Sequence, residues 1–420
     1  MKRLTFLLLV YLTAATNLHA QIYTVTNLSA PVGFNGSIGP VVINNNGWFA
    51  SNATLSTSSY ARANLFRNDG TGNIDLGTLG GNNSIPYDIN DFNVVVGFAE
   101  KAGNISRAVI FSGTGSNNIN LGTLDILNQN ATSVATSINN ARIVVGQSTT
   151  PNGLYHATQF SETSANIDLG TLPGGTTSYA TCINIYGTIV GNANGTNIGS
   201  HATKFSGSGS GNTDLGTLGG VTSIAYSIND SGQIVGVADT PFPGGSHAAR
   251  FTSDGPQDLG TLGGKNSRAI AINNSGDIVG AADLAGNYER AFIIHGSGPM
   301  LDLNTLIPAN SGVFLYRAIS INDLGQILIV GNNRSTYRLD PANTPPPPIF
   351  FLITTSAQPP KKGTVSQSQK IEVGGKITLT AQPKRGFKFI NWTEGRKIVS
   401  RKKNYTFTVS QARTLVAHFK

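Results

Sequence analysis

Cysteine is almost missing from this chain: Cys182 is the only one in 420 residues. No intramolecular disulfide can form, so stability has to come from burial and from the way strands are tied together. Cys182 lies within a strand pattern and is expected to be a small buried side chain rather than a reactive thiol. Charge is scarce as well, at 12% of residues, about half the usual share. Helical periodicity is absent beyond the first residues. The glycine-rich phrases are followed by no helix and end in no Lys-Ser/Thr pair, which excludes a phosphate loop. No paired-histidine metal motif and no Gly-x-Ser-x-Gly elbow occur, and no Ser-His-Asp set can be nominated from spacing. The sequence therefore predicts no metal and no cofactor.

Glycine is abundant instead, with 50 residues, and Asn, Ser and Thr are frequent. This mix suits many short strands joined by tight turns. The start reads as a secretory leader over residues 1–20. Lys2 and Arg3 form a basic head, Leu4 to Leu12 an apolar run, and Leu18-His19-Ala20 a cleavage site. The run is short for a membrane span, and no later stretch could cross as a helix, so no span is expected once the leader is cut. An uncleaved anchor is the alternative, and periplasm and true secretion are not separated.

The formal charge of +8 is unevenly spread. Residues 21–341 hold 13 Lys and Arg against 19 Asp and Glu, a net of −6. Residues 342–420 hold 14 against 2, a net of +12, and Lys2 and Arg3 supply the remaining +2. Any argument for anion binding belongs to the C-terminal part.

Self-similarity decides the architecture. Asp75-Leu76-Gly77-Thr78-Leu79-Gly80-Gly81 returns at 214–220 and 258–264, and shortened at 168–172, with weaker copies at 120–124 and 302–306. An Ile-Asn phrase occurs seven times, at Ile43, Ile89, Ile138, Ile183, Ile228, Ile272 and Ile321, spaced by 44 to 49 residues. Each unit reads as four strands. In 214–251 these are Leu215 to Leu218, Ser223 to Asn229, Gln233 to Ala238 and His247 to Thr252, with a turn at Asn229-Asp230-Ser231-Gly232. Seven such units predict an all-β, seven-bladed β-propeller over residues 21–341. Tyr23 to Leu28 has no unit of its own, and the seventh unit lacks its last strand, so the N-terminal strand is expected to complete it. An open solenoid would leave this offset unexplained.

The run Leu-Gly-Thr-Leu-Gly-Gly, Ser-x-Ala, Ile-Asn-x-x-Gly-x-Ile-Val-Gly and His-Ala-x-x-Phe resembles the HAF family of extracellular repeats across most of 22–340. His-Ala stands at His156, His201 and His247, each with Phe three residues past Ala, and Arg replaces His at Arg62, Arg107 and Arg290. The resemblance implies secretion and carries no settled activity.

Residues 342–349 read as a proline-rich linker, Asn343 to Pro348 including four consecutive prolines, which favours a stiff spacer. Beyond it, 350–420 predicts a small antiparallel β-domain with strands at Phe350–Ser356, Lys370–Glu372, Lys376–Gln382, Phe387–Thr393, Tyr405–Ser410 and Thr414–Phe419. The stretches from Gly375 to Ala381, Gly386 to Gly395, Tyr405 to Val409 and Arg413 to Phe419 resemble the divergent internalin-type B-repeat of bacterial surface proteins. The resemblance implies a β-grasp-like module of stalks and adhesion. This copy departs from it by its shortage of acids.

Two sets of residues are candidates. The basic set is Lys384, Arg385, Lys388, Arg396, Lys397, Arg401, Lys402 and Lys403, which could draw an anionic polymer by counterion release or merely keep an edge soluble. The repeated set is Arg62, Arg107, His156, His201, His247 and Arg290. Recurrence in blade after blade favours a structural hydrogen bond over a ring of ligand donors. The aromatics Phe387, Phe389, Trp392, Tyr405 and Phe407 read as core. The Asn-x-x-Gly turns lack the acidic oxygens of a calcium loop. The reading is a secreted, monomeric, non-enzymatic binding protein with its specificity in loops such as Asp239–Ser246 and Asp283–Glu289. The partner it suggests is a surface glycan or an anionic polymer held by the C-terminal domain. A polysaccharide-acting propeller enzyme and a purely structural surface module are the other readings.

Overall fold

A computed structural model describes residues 23–28, 34–67, 72–332, 335–342, 350–372, 375–409 and 412–420. The expected leader and residues 343–349 of the linker lie outside these. The described residues contain no α-helix.

Seven four-stranded antiparallel sheets occupy residues 23–341. They are numbered here by the Ile-Asn phrase that ends the first strand of each. Sheet 5 is Ser223–Ile228, Ile234–Asp239, Ser246–Thr252 and Gly255–Asp258, paired in that order. The sequence reading placed Asp-Leu-Gly-Thr-Leu at the start of a unit. The structure instead ends sheets 1 and 3 to 6 with the residues up to that Asp, and sheet 2 at Asn120, and Leu215 to Leu218 is not a strand. The cause is local: Asp214 Oδ1 accepts from Gly216 N at 2.8 Å and bends the chain out of the ladder.

Sheet 7 is made of Leu315–Ile321, Ile327–Gly331 and Thr336–Pro341, and its fourth strand is Tyr23–Leu28. The pairing runs antiparallel from Tyr23↔Pro341 to Leu28↔Thr336. Without it the Thr336–Pro341 edge would be an open template for another chain.

Each first strand carries a β-bulge two residues before the Ile, as at Tyr226, between the pairs Ala225↔Gly236 and Ser227↔Val235. A bulge re-aims the extra side chain. Thr136 and Thr181, at the same place, each donate to a carbonyl of the following sheet, Ala180 O at 2.7 Å and Ala225 O at 2.6 Å. The bulge also presses the backbone against the partner strand, and a Cβ on Gly236 would lie 1.9 Å from Ile224 O.

Apolar contacts join successive sheets. Val190 and Ala202 of sheet 4 pack with Ala225, Ile228, Ile234 and Phe251 of sheet 5, and Leu328 of sheet 7 packs with Ile43, Phe49 and Ala53 of sheet 1. The asparagine of each Ile-Asn phrase adds a polar link. Its Nδ2 donates to the main-chain carbonyl of the next such asparagine, from Asn44 to Asn90, Asn139, Asn184, Asn229, Asn273 and Asn322, at 2.9–3.2 Å. Asn322 donates in turn to Asn44 O at 2.9 Å. The Oδ1 meanwhile caps its own turn, as Asn44 Oδ1 does for Trp48 N at 3.0 Å. Only a carboxamide both donates and accepts this way, which is why aspartate does not serve here.

Residues 350–420 form two sheets. One holds Phe350–Gln358, Gln369–Glu372, Phe389–Glu394, Lys397–Ser400 and Arg413–Phe419; the other holds Gly363–Val365, Lys376–Pro383 and Asn404–Thr408. The expectation of a wholly antiparallel domain fails at one pair. Phe350–Gln358 and Arg413–Phe419 run parallel, from Ile353↔Arg413 to Gln358↔His418. The intervening strands supply the long crossover that a parallel pair needs. Trp392, fully buried, packs with Ile353, Ile377, Leu379 and Leu415.

Candidate functional sites

The repeated histidines are engaged within their own sheets. His156 Nδ1 lies 2.8 Å from Asp168 Oδ2, His201 Nδ1 2.9 Å from Asp214 Oδ2 and His247 Nδ1 2.9 Å from Asp258 Oδ2. The same aspartates hold the glycine two residues on, so each pair fixes the bend after the fourth strand. Arg290 is within 3.8 Å of Asp302. At Arg107 the place of the aspartate is taken by the neutral Asn120, and the guanidinium turns to the carbonyls of Gln129 and Ala131. Arg62 is half-buried, with its Nε enclosed and unbonded. Cys182 is partly enclosed, and burial followed by the nearby Asp88 carboxylate pushes its thiol up to about 11, far from a reactive thiolate.

A shallow depression of about 180 Å³ is lined by all seven Ile-Asn phrases. Its rim carries Asn45, Asp91, Asn140, Asp230, Asn274 and Asp323. Their side chains bond across sheet boundaries, as Asn274 Nδ2 does to Asp230 Oδ2 at 2.8 Å and to Asp323 Oδ2 at 3.0 Å. The acids of these turns thus link neighbouring sheets, which local turn chemistry alone does not account for. Among the described residues no group of three or more His, Cys, Asp or Glu side chains is placed to hold a metal.

A second cavity, of about 390 Å³, opens between sheets 5 and 6. Tyr226, Ile224 and Val237 form its apolar wall, and Asp239, Asp283, Arg268 and Glu289 its polar one. Glu289 accepts from Arg268 and, at 3.0 Å, from Arg317. Asp283 Oδ2 accepts from Asn266 N and Nδ2. Burial acts to raise the Asp239 carboxyl, but hydrogen bonds from Ser246 and Thr222 outweigh it and hold it below the usual range. Burial pushes the Tyr226 phenol up, against the pull of Arg268 and Arg317. Asp239, Asp283 and Glu289 are the ends of the two loops that the sequence singled out.

In the C-terminal domain all eight basic candidates are exposed, and none makes an ion pair among the described residues. The fold divides them. Lys384 N donates to Lys362 O at 3.0 Å, Lys388 exchanges two backbone bonds with Lys420, and Lys403 O accepts from Ala381 N and Trp392 Nε1. Lys384, Arg385, Lys388, Lys402 and Lys403, with Arg401 adjoining, therefore crowd one end, joined by Lys362 and Lys420. Arg396 and Lys397 lie instead at the tip of the hairpin closed by Glu394↔Lys397. Lys362 and Lys420 were not legible as members, because only strand pairing brings them there. Phe387 is a correction: it is 38% exposed, not core, with Lys362 Nζ 5.4 Å from its ring. Of the two acids, Glu394 is held by Arg413 at 2.8 Å, which also keeps its carboxyl below the usual range.

Residues 353–420 match the family model of the divergent InlB B-repeat domain. No curated protein matches the chain.

Proposed function

We propose that residues 21–341 form a seven-bladed β-propeller of the HAF type, and that the protein is a secreted or surface-exposed, non-enzymatic binding protein. Supporting the propeller are the seven similar sheets and the asparagine bonds that lead from Asn44 through every sheet and back from Asn322. Supporting export is the residue pattern of the leader. The C-terminal domain holds an anionic polymer, and the propeller is the body it carries.

The observation behind the binding assignment is the crowding of Lys384, Arg385, Lys388, Lys402, Lys403 and Lys420 at one end with no acid paired to them among the described residues. Cations gathered at one end of a small domain repel one another, and an anionic chain that displaces its own counterions relieves that repulsion. The test is binding of the chain to polyphosphate and heparin over a range of salt. Affinity that falls steeply with salt, and that Lys384→Glu with Lys403→Glu abolishes, is the expected result. Binding unchanged in that variant would refute the assignment.

A further inference from the structure

We propose that the cavity between sheets 5 and 6 binds a neutral saccharide unit, independently of the basic C-terminal domain.

Side chains that recur from sheet to sheet serve the sheet. Asp239 and Asp283 belong to that class. Glu100 and Asn194 occupy the same place and bond the same turn amides, at Asn83 N and Thr177 N. Three residues around the cavity depart from the pattern of sheets 1 to 5. Four positions before the Ile of the Ile-Asn phrase, sheets 2 to 5 carry Ile85, Val134, Tyr179 and Ile224, while sheets 6 and 7 carry Arg268 and Arg317. The residue before the His/Arg-Ala phrase is Ala61, Ser106, Tyr155, Ser200 or Ser246 in the other copies, and Glu289 here. At the bulge, where sheets 3 and 4 carry Thr136 and Thr181, sheet 5 carries Tyr226, as sheet 2 carries Tyr87. The three exceptions and Tyr226 come from three sheets and meet: Glu289 bonds both arginines, and Tyr226 feels the charge of both.

Their groups are only partly used. Asp283 Oδ1, the Nη1 of Arg268 and the Tyr226 hydroxyl make no hydrogen bond among the described residues, while Arg268 and Arg317 are 40% and 42% exposed. An acceptor, a planar donor and a hydroxyl set beside an aromatic wall match adjacent sugar hydroxyls, each of which both donates and accepts, and an apolar ring face. Three carboxylates in the lining disfavour an anionic ligand. The volume falls within the about 300–1,000 Å³ of small-molecule sites.

The test is titration of the full chain with glucose, galactose, mannose, N-acetylglucosamine and β-linked disaccharides, followed by ligand-observed NMR, with glucuronate as the anionic comparison. The double variant Arg268→Ile with Glu289→Ser installs the residues found in sheet 5, Ile224 and Ser246, so its fold has a precedent in the same chain. At least one neutral sugar should bind saturably, and the double variant should weaken it at least tenfold. Tyr226→Thr, taking the residue of sheets 3 and 4, should weaken it similarly and serves if the double variant is unstable. Lys384→Glu with Lys403→Glu should leave it unchanged, which separates this site from the polymer site. Absence of saturable binding, equal binding by the variants, or preference for glucuronate would overturn the proposal.

Discussion

Asn322 donates its side-chain Nδ2 to the main-chain carbonyl of Asn44 at 2.9 Å, across 278 residues of sequence. The other six bonds of the series span only 44 to 49 residues, yet the long link has the same geometry. It also carries the same local duty, because Asn322 Oδ1 accepts from Gln326 N at 2.9 Å.

If the series is a true cycle, its distant link should matter as much as its local ones. Asn322→Ala and Asn139→Ala each leave buried backbone groups without a partner and should cost about 2–4 kcal/mol. Denaturant unfolding should give values for the two within about 1 kcal/mol of each other. A negligible cost at Asn322 alone would indicate an open array.

Asp88 should make stability depend on pH. It stands where Ser137, Ser227 and Ser320 stand in other sheets, and its Oδ2 accepts from Ile138 N at 2.9 Å as Ser320 Oγ accepts from Ile43 N at 3.2 Å. Burial first, and the charge of Asp91 last, raise its carboxyl above the usual range, and the hydrogen bonds it accepts only partly offset them. A carboxyl raised on folding keeps its proton longer in the folded chain, so its cost is absent at acid pH and grows as pH rises from 3.8 through the raised value. Asp88→Ser should therefore raise the melting temperature at pH 7.5, with the gain shrinking toward zero near pH 3.5. It should also lower the pH at which Cys182 reacts with a thiol reagent, since Asp88 helps to hold that thiol up.

Two glycines of sheet 5 should differ in what their replacement costs. Gly236→Ala drives a Cβ into Ile224 O and should cost at least about 3 kcal/mol. Gly232 has φ +79° and open space around it, and the equivalent turn residue is Asn93 in sheet 2, at φ 61°. Gly232→Asn should then cost under about 1 kcal/mol, as thermal unfolding would register.

The division of the basic residues predicts a division of effects on polymer binding. Lys402→Glu with Lys403→Glu should reduce the slope of log K against log salt by roughly 1 per lost contact. Arg396→Glu with Lys397→Glu, at the remote hairpin tip, should change it little. Equal effects from the two pairs would mean that the net charge of the domain, not its crowded end, does the binding.

The repeat was legible because a fixed period of Ile-Asn needs no knowledge of side-chain contacts. The offset of Tyr23 to Leu28 was legible for the same reason: a strand without a unit implies a unit without a strand. The end of each fourth strand was misread, because Leu-Gly-Thr-Leu has the composition of a strand and the bend set by Asp214 on Gly216 lies in the backbone. The cavity residues were invisible as a group. Tyr226, Arg268, Glu289 and Arg317 sit in ordinary local contexts, and they stand out only when strand pairing reveals which positions of the seven sheets correspond.

The pairing of Tyr23 with Pro341 sets where the chain enters and leaves this body. Both crossings fall at one spot on one sheet, so whatever precedes Tyr23 and whatever follows Pro341 start out side by side. The C-terminal domain adds one more point of contact, because Lys370 donates to Asp91 O in the turn of sheet 2 and lies 4.6 Å from the Phe92 ring. A label or support fused at either end would approach the same sheet and leave the cavity between sheets 5 and 6 on a different stretch of the molecule.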